Sequence, residues 1–482
     1  MLIGGRLVAA RSGAEFENRS PATGVVLGST AAAGPEDMDA AIAAARTAFD
    51  DGIWASDRAL RRRCLLQLQE AVEAERDQIV DELIAEVGAP RMTMGIAQLD
   101  WPLLDALTYP ADLIDSFEWE RDLGPGEVAG PDNRRMVVKE PIGVVGAIAP
   151  WNFPLEIALN KLGQALATGN TVVLKPDPNT PWNATRLGRL IVEHTDIPAG
   201  VVNIVPTPDN SVAEMLVTDP RVDLISFTGS TTVGQLIVRR SADTLKKVFL
   251  ELGGKSAMVV LPDADIDGVV GNTMAVCVHA GQGCAITTRL LVPASRHDEV
   301  AEKVADLFAL FRPGDPASDA TVLGPVVNRA QQERVLGYVE RARAAGADIV
   351  TGGRAPADLP EHLRGGTFVE ATLIAGLDNS SEAAQDEIFG PVMVLLPYDD
   401  EEDALRIAND SRYGLSGSVW SASDERALAF ARRVRTGSMM VNGGMFYGAD
   451  APYGGYKQSG VGRQNGVEGF EQYLETKTIG YR

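Results

Sequence analysis

The sequence predicts an α/β protein built on two largely parallel sheets, and three observations carry that prediction. Between residues 143 and 252, five short Val- and Ile-rich runs alternate with four segments whose apolar residues recur at helical spacing. A second alternation of the same kind runs from residue 256 to residue 442. At 482 residues, 45% hydrophobic and 23% charged, the chain has the composition of an ordinary globular protein with enough length for more than one core.

In the first alternation the strands are "GVVGAIA" (143–149), "NTVVLKP" (170–176), "VVNIV" (201–205), "VDLISFTG" (222–229) and "KKVFLEL" (246–252). The helices between them are "LEIALNKLGQALATG", which closes on Gly169, then "PWNATRLGRLIVEH", opened by a helix-tolerated proline, "SVAEMLVT" and "TTVGQLIVRRSA". Strands joined through helices run parallel with right-handed crossovers, so helices cover both faces of a doubly wound sheet. Ligands of such sheets bind beyond the carboxyl ends of the strands. The loops found there are "APWNFP", "KPDPNT", "VPTPDN" and "FTGSTTVG".

The second alternation comprises "SAMVVL" (256–261), "RLLVP", "PVMVLLP", "GLSGSVW" and "SMMVN" (438–442), with helices such as "QQERVLGYVERARAAG" between, and starts a second α/β domain near Gly254. "NRRMVVKEP" (133–141) and "GFEQYLETKTIGYR" at the C-terminus are strand-like segments far apart in sequence. They read as edge strands for which another subunit is a natural partner.

The formal net charge of -22 repels phosphate backbones and anionic lipid surfaces, so neither nucleic acid nor membrane is an expected partner. The densest basic run, Arg61–Arg63, lies among Leu60, Cys64, Leu65, Leu68 and Val72 at helical spacing and reads as a solvated helix face. The opening "MLIGGRLVAARSG" lacks the pattern of a secretory leader, and the expected location is cytoplasmic. The longest apolar stretch (141–159) is interrupted by Pro150, Asn152, Pro154 and Glu156, which argues against a membrane span. Cys64, Cys277 and Cys284 show no C-x-x-C pattern, and His194, His279, His297 and His362 are scattered; reduced thiols and no metal are expected.

Four stretches invite chemistry. "FTGSTTVG" puts free N–H groups and a helix N-terminus where a pyrophosphate could sit, and Lys175 ends a neighbouring strand. Glu251 in "ELGGKSAMV" stands at the junction of the two α/β units, where desolvation can make a carboxylate a general base. Cys284 in "GQGC" is flanked by Gly283 and Ala285, which leave its sulfur room. Taken singly, each also has a plain reading: a strand-to-helix turn, a surface lysine, an exposed glutamate, a small core cysteine.

Their order adds what none has alone. "APWNFP", "KP", "FTGS", "ELGGKS", "GQGC", "DEIFGPV", "YGLSGSVW", "VNG" and "PYGGYKQSGVGR" follow one another across nearly the whole chain, and this succession resembles the NAD(P)-dependent aldehyde dehydrogenase superfamily. The resemblance implies a Rossmann-like cofactor domain (1–122 and 142–253), a catalytic α/β domain (254–442), a small β oligomerisation element (123–141 and 463–482) and a return segment to the cofactor domain (443–462). It implies a homodimer or homotetramer acting on a small-molecule aldehyde.

By the same resemblance Cys284 is the nucleophile, and the Asn152 amide with the Cys284 backbone N–H holds the oxyanion. Glu251 activates the hydrolytic water, and Lys161 relays protons. Lys175 meets the adenosine ribose; Gly229, Ser230 and Gly234 form the pyrophosphate loop; Trp151, Leu252, Glu387 and Phe389 complete the cofactor site. Glu251 favours a free acid over an acyl-CoA product, because the acylating branch generally lacks it. Two positions depart from the pattern. Pro178 stands where NAD-selective members carry a glutamate, so NAD is expected with NADP tolerated, and Gln464 replaces a proton-relaying glutamate. The aldehyde tunnel would be lined by Phe153, Ile157, Asn160, Gly283, Ala285, Met445, Phe446, Tyr447 and Tyr453. That set is largely apolar without a charged reader and suits an aromatic, terpenoid or medium-chain aliphatic aldehyde. The alternatives are a semialdehyde dehydrogenase, which would need a basic residue in the tunnel, and a catalytically idle scaffold of the same fold.

Overall fold

The computed structural model describes every residue except 127 and 129–131, so that part of the 123–141 segment lies outside the described residues. The first sheet has eight strands, and its five central ones are the five read from the sequence, all parallel: Lys247–Glu251, Leu224–Thr228, Val144–Ile148, Thr171–Lys175 and Val202–Ile204, in that spatial order. The chain winds outward from Val144–Ile148 in one direction and then returns to the other side for Leu224–Thr228. The topological switch therefore lies between these two strands, where crevices open at the carboxyl ends of such sheets. Antiparallel strands close the edges: Gly460–Val461 beside Lys247–Glu251, and the N-terminal pair Leu2–Ile3 and Arg6–Leu7.

Both faces are covered. Val145, Val172 and Leu174 pack with Leu65, Leu68, Leu159 and Leu187 from the helices Arg58–Ala74, Pro154–Ala167 and Trp182–His194. Val144, Val173 and Ile225 pack with Ile42, Leu216 and Ile237 from Pro35–Asp50, Asn210–Thr218 and Thr231–Ser241. The basic run at Arg61–Arg63 needs one correction. Arg62 and Arg63 lie at the surface with Asp112, Asp115 and Asp196, but Arg61 is buried. Its guanidinium donates to the carbonyl oxygens of Ala167 (3.0 Å), the last residue of helix Pro154–Ala167, and of Trp54 (2.9 Å), in the short helix Ile53–Ser56.

The second sheet runs Asp348–Thr351, Thr372–Ala375, Val392–Tyr398, Thr287–Pro293, Ser256–Val260, Gly417–Trp420, Met440–Val441, parallel except for its first, antiparallel strand. In the third sheet the two remote segments pair with each other. Arg134–Pro141 lies in the centre, antiparallel to Leu474–Tyr481 from Pro141↔Leu474 to Arg134↔Tyr481, with Glu120–Pro125 on its other side. The segment read as an edge is thus an inner strand, because cross-strand pairing within the chain satisfies it; the free edges belong to its neighbours. Among the described residues no helix is long and apolar enough to cross a membrane.

Candidate active site

Strand Lys247–Glu251 is the last parallel strand of the first sheet and Ser256–Val260 lies inside the second, so Leu252–Lys255 bridges the two sheets. A cavity of about 800 Å³ opens there. It is lined by Trp151 and Asn152 after one switch-point strand, Gly229 and Ser230 after the other, and by Glu251, Cys284, Glu387 and Phe389.

Cys284 follows a turn in which His279 and Ala280 take left-handed φ values of 51° and Gly281 a φ of 68°. A Cβ on Gly281 would collide with the Gly390 carbonyl, so glycine is required for the loop to lie against its neighbour. The Cys284 sulfur sits 3.3 Å from the Tyr453 hydroxyl, and burial, then the carboxyls of Glu251, Glu387 and Glu156, push the thiol up to about 12. Burial thus favours the thiol over the thiolate here. The Asn152 side-chain amide donates to the Gln282 carbonyl at 2.9 Å, which fixes it beside the cysteine loop while an amide nitrogen retains a second N–H. Gln98 donates to the Asn152 backbone carbonyl at 2.8 Å from behind.

Glu251 is buried, and neither carboxyl oxygen has a hydrogen-bond partner among the described residues. Burial holds it well above the usual carboxylate range, opposed by Lys161 and Arg463. A Cβ on Gly454 would stand 2.6 Å from Glu251 Oε1, so that glycine keeps the space the carboxyl uses. Lys161 lies behind Glu251 and outside the cavity lining. Its Nζ donates to Ser226 Oγ at 3.0 Å, Ser226 Oγ is 3.0 Å from the Tyr473 hydroxyl, and burial brings the ammonium down to about 7 against the opposing pull of Glu251. Gln464 lines the cavity, yet its side-chain amide is spent on the Asn160 carbonyl and Gln164 Oε1, both at 3.1 Å.

Ser230 caps helix Thr231–Ser241, its Oγ accepting from the Val233 N–H at 3.3 Å, and the helix N-terminus faces the cavity through Thr231 and Thr232. Such an end favours an anion. Gly234 lies one turn in and does not line the cavity; a Cβ there would stand 2.6 Å from the Leu252 side chain, so it serves close packing. Glu387 accepts from the Gly254 N–H at 2.9 Å and is pushed up to about 7 by burial, while Gly253 leaves room for its carboxyl. Phe389, at φ 61°, stands edge-on to Trp151 with centroids 5.3 Å apart. Lys175 ends the strand beside Val144–Ile148 but, like Pro178, is not part of the cavity lining; burial lowers its ammonium, with Asp177 opposing.

Phe153, Ile157, Asn160, Gly283, Ala285, Met445, Phe446, Tyr447 and Tyr453 all line the cavity. Several lining groups lie outside the set read from the sequence, among them Trp101 and Glu156. Trp101, on the short helix Asp100–Asp105, stacks on Tyr447 at 5.5 Å. Glu156 is buried, lines the cavity and accepts a hydrogen bond from the Tyr447 hydroxyl, which corrects the expectation of a tunnel without a charged group. The helical spacing held the signal: residues 156 and 160 are one turn apart and share a face.

A thiol, an unpartnered carboxyl and a helix N-terminus around one cavity are the parts of a covalent thiol catalyst with a nucleotide beside it. A model of the aldehyde dehydrogenase family matches residues 7–479. The chain is 38% identical to 3-succinoylsemialdehyde-pyridine dehydrogenase of a Pseudomonas species, over 99% of this chain and 97% of that one. It is 37% identical to geranial dehydrogenase of Castellaniella defragrans, over 99% and 98% respectively. The crystal structure of the Mycobacterium tuberculosis aldehyde dehydrogenase complexed with NAD+ superposes with a TM-score of 0.93 at 38% identity, covering 99% of this chain and 96% of that one. The chain belongs to the aldehyde dehydrogenase family. It is accordingly an oxidoreductase that acts on aldehydes.

Proposed function

We propose that the protein oxidises an aldehyde with an apolar body, aromatic, terpenoid or medium-chain aliphatic, to the free carboxylic acid, using NAD+ and tolerating NADP+. The observation that carries the reading is that the Cys284 sulfur and the unpartnered Glu251 carboxyl line one cavity with Asn152 at its wall. Cys284, as thiolate, adds to the aldehyde carbon, and the Asn152 side-chain amide with the Cys284 backbone N–H holds the oxyanion that forms. Glu251 then removes a proton from the water that attacks the thioester, releasing the acid and freeing the sulfur. Lys161, which burial brings down to about 7 against the pull of Glu251, serves the proton exchange of that carboxyl, a task for which the amide of Gln464 offers no titratable group.

The residues present fit a nicotinamide dinucleotide. The Cβ-free approach at Gly253 and the helix N-terminus behind Gly229 and Ser230 suit a pyrophosphate and a closely packed ring, with Glu387, Phe389, Trp151 and Leu252 around them. Lys175 serves the adenosine end, and Pro178 presents no carboxylate there to repel a 2'-phosphate. When bound, the dinucleotide supplies the acceptor for the hydride that leaves the tetrahedral carbon.

The free edges of the third sheet support assembly into a homodimer or homotetramer, and the free thiols of Cys64, Cys277 and Cys284 suit the cytoplasm. A panel of aromatic, terpenoid, aliphatic and carboxylated aldehydes, each with NAD+ and NADP+, tests the reading through the absorbance of the reduced cofactor. Aldehyde-dependent signal that vanishes in Cys284→Ala is the expected result. Wild-type protein that binds neither cofactor would hand the case to the idle scaffold.

A further inference from the structure

Of the three carboxyl groups that line the cavity, Glu156, Glu251 and Glu387, the chemistry just described leaves Glu156 without a task. It stands in the first turn of helix Pro154–Ala167, with only 6% of its surface exposed. One turn on, Asn160 donates to the Tyr447 hydroxyl at 3.2 Å, and that hydroxyl in turn donates to Glu156 Oε1. Among the described residues Glu156 makes no other side-chain hydrogen bond and no ion pair, and its Oε2 is not sealed from the cavity.

Desolvating a carboxyl is costly unless it is paired, and the helix N-terminus, which favours negative charge in its first turn, offsets only part of that cost. Burial pushes the group up to about 8. The walls around it are aromatic: Trp101 stacks on Tyr447, Tyr453 meets Tyr447 edge-on at 6.3 Å, and Phe446 stacks on Tyr453 at 6.1 Å. Tyr453 also touches the Cys284 sulfur, so a chain of two tyrosines, Tyr447 and Tyr453, runs from Glu156 to the reacting thiol. The nearby charge is negative too, since Asp105, which accepts from the Ala449 N–H at 2.9 Å, belongs to the same end. The cavity's cations, Arg334 and Arg412, are engaged at the other side by the Glu387 carbonyl and by Asp386.

We propose that Glu156, positioned by Tyr447 and Asn160, reads a hydrogen-bond donor at the far end of the substrate, so that the preferred aldehyde carries an apolar body ending in a hydroxyl or an amino group. The inference rests on the aldehyde-oxidising reading and narrows its substrate class. A protonated carboxyl both donates to and accepts from a hydroxyl, whereas an ammonium group would pair with the ionised form. A carboxylate at that end would face a carboxyl and Asp105, with no cation among the described lining residues there to receive it, which disfavours carboxylated semialdehydes. Sites built to hydrogen-bond a substrate group reject analogues lacking it far more strongly than apolar pockets reject a missing methylene.

The test compares kcat/KM for size-matched aldehydes ending in hydroxyl, amine, methyl and carboxylate, in wild type, Glu156→Leu and Glu156→Gln. The expected result is a preference of about tenfold or more for a donor-bearing aldehyde over its methyl counterpart, falling to near unity in Glu156→Leu. Glu156→Gln separates the two donors: it keeps a preference for hydroxyl and loses one for ammonium. Should leucine unfold the helix, Glu156→Met is read in its place, with a thermal melt as the check. A methyl-ended aldehyde preferred by wild type, or a ratio unchanged in Glu156→Leu, overturns the proposal. If no aldehyde is oxidised, calorimetry of the matched diols, amino alcohols and plain alcohols with Cys284→Ala protein still decides. A donor preference that Glu156→Leu abolishes upholds Glu156 while the enzymatic reading fails, and no preference overturns both.

Discussion

Cys284 and Glu251 share one problem, which is that each must work as an anion in a site that penalises anions. The thiol is pushed up to about 12 in the cofactor-free protein, with burial the largest cause and Glu251, Glu387 and Glu156 adding to it. Because only the thiolate alkylates, inactivation by iodoacetamide should rise about tenfold per pH unit between pH 6 and 9 without levelling off. Adding NAD+, whose nicotinamide ring is cationic, should speed it at fixed pH. Peptide mapping at Cys284 against Cys64 and Cys277 reads the result; a plateau near neutral pH would mean that the free enzyme already holds a thiolate. Neither the pressure on the thiol nor the role of Glu156 was legible from single residues. Cys284 alone looked like core, and the motif order across the chain gave it meaning. Glu156 sat inside a segment judged for its apolar run, so a polar side chain at helical spacing from Asn160 went unread.

At the level of elements, the strand–helix alternation between residues 143 and 252 was fully legible, because parallel strands buried on both faces are continuous apolar runs. Strands Asp348–Thr351 and Thr372–Ala375 were not picked out; both are short and border one edge of their sheet. Arg61 was misjudged for a related reason, since its partners are backbone carbonyls, which no side-chain pattern reports. Glycines at the site act through elements as well. Gly454 lies in the segment returning to the first sheet and keeps clear the space of the Glu251 carboxyl. Gly454→Ala should displace that carboxyl and lower kcat by about 10², with the hydrolytic step slowed more than cofactor reduction. Rapid-mixing kinetics measures both steps, and equal slowing would place the glycine's effect elsewhere.

On the scale of the whole molecule, sequence segments more than three hundred residues apart build the third sheet, a pairing that periodicity alone does not reveal. Its outer strand Leu474–Tyr481 is exposed along most of its length and offers an open edge to another chain. If the proposed assembly uses this edge, Thr478→Pro, which removes a backbone donor from the strand, should give a smaller particle than wild type in light scattering after size exclusion. An unchanged mass would remove the support that this edge gives to assembly.

The central claim is that turnover passes through an acyl group on Cys284 that Glu251 helps water to remove. Glu251→Gln preserves shape and removes the base. Mixed with aldehyde and NAD+ and followed by absorbance and intact mass, this variant should form one burst of NADH matched by one acyl adduct, mapped to the Cys284 peptide and slow to decay. Continuous NADH formation with no adduct, or an adduct on Cys64 or Cys277, would contradict the account.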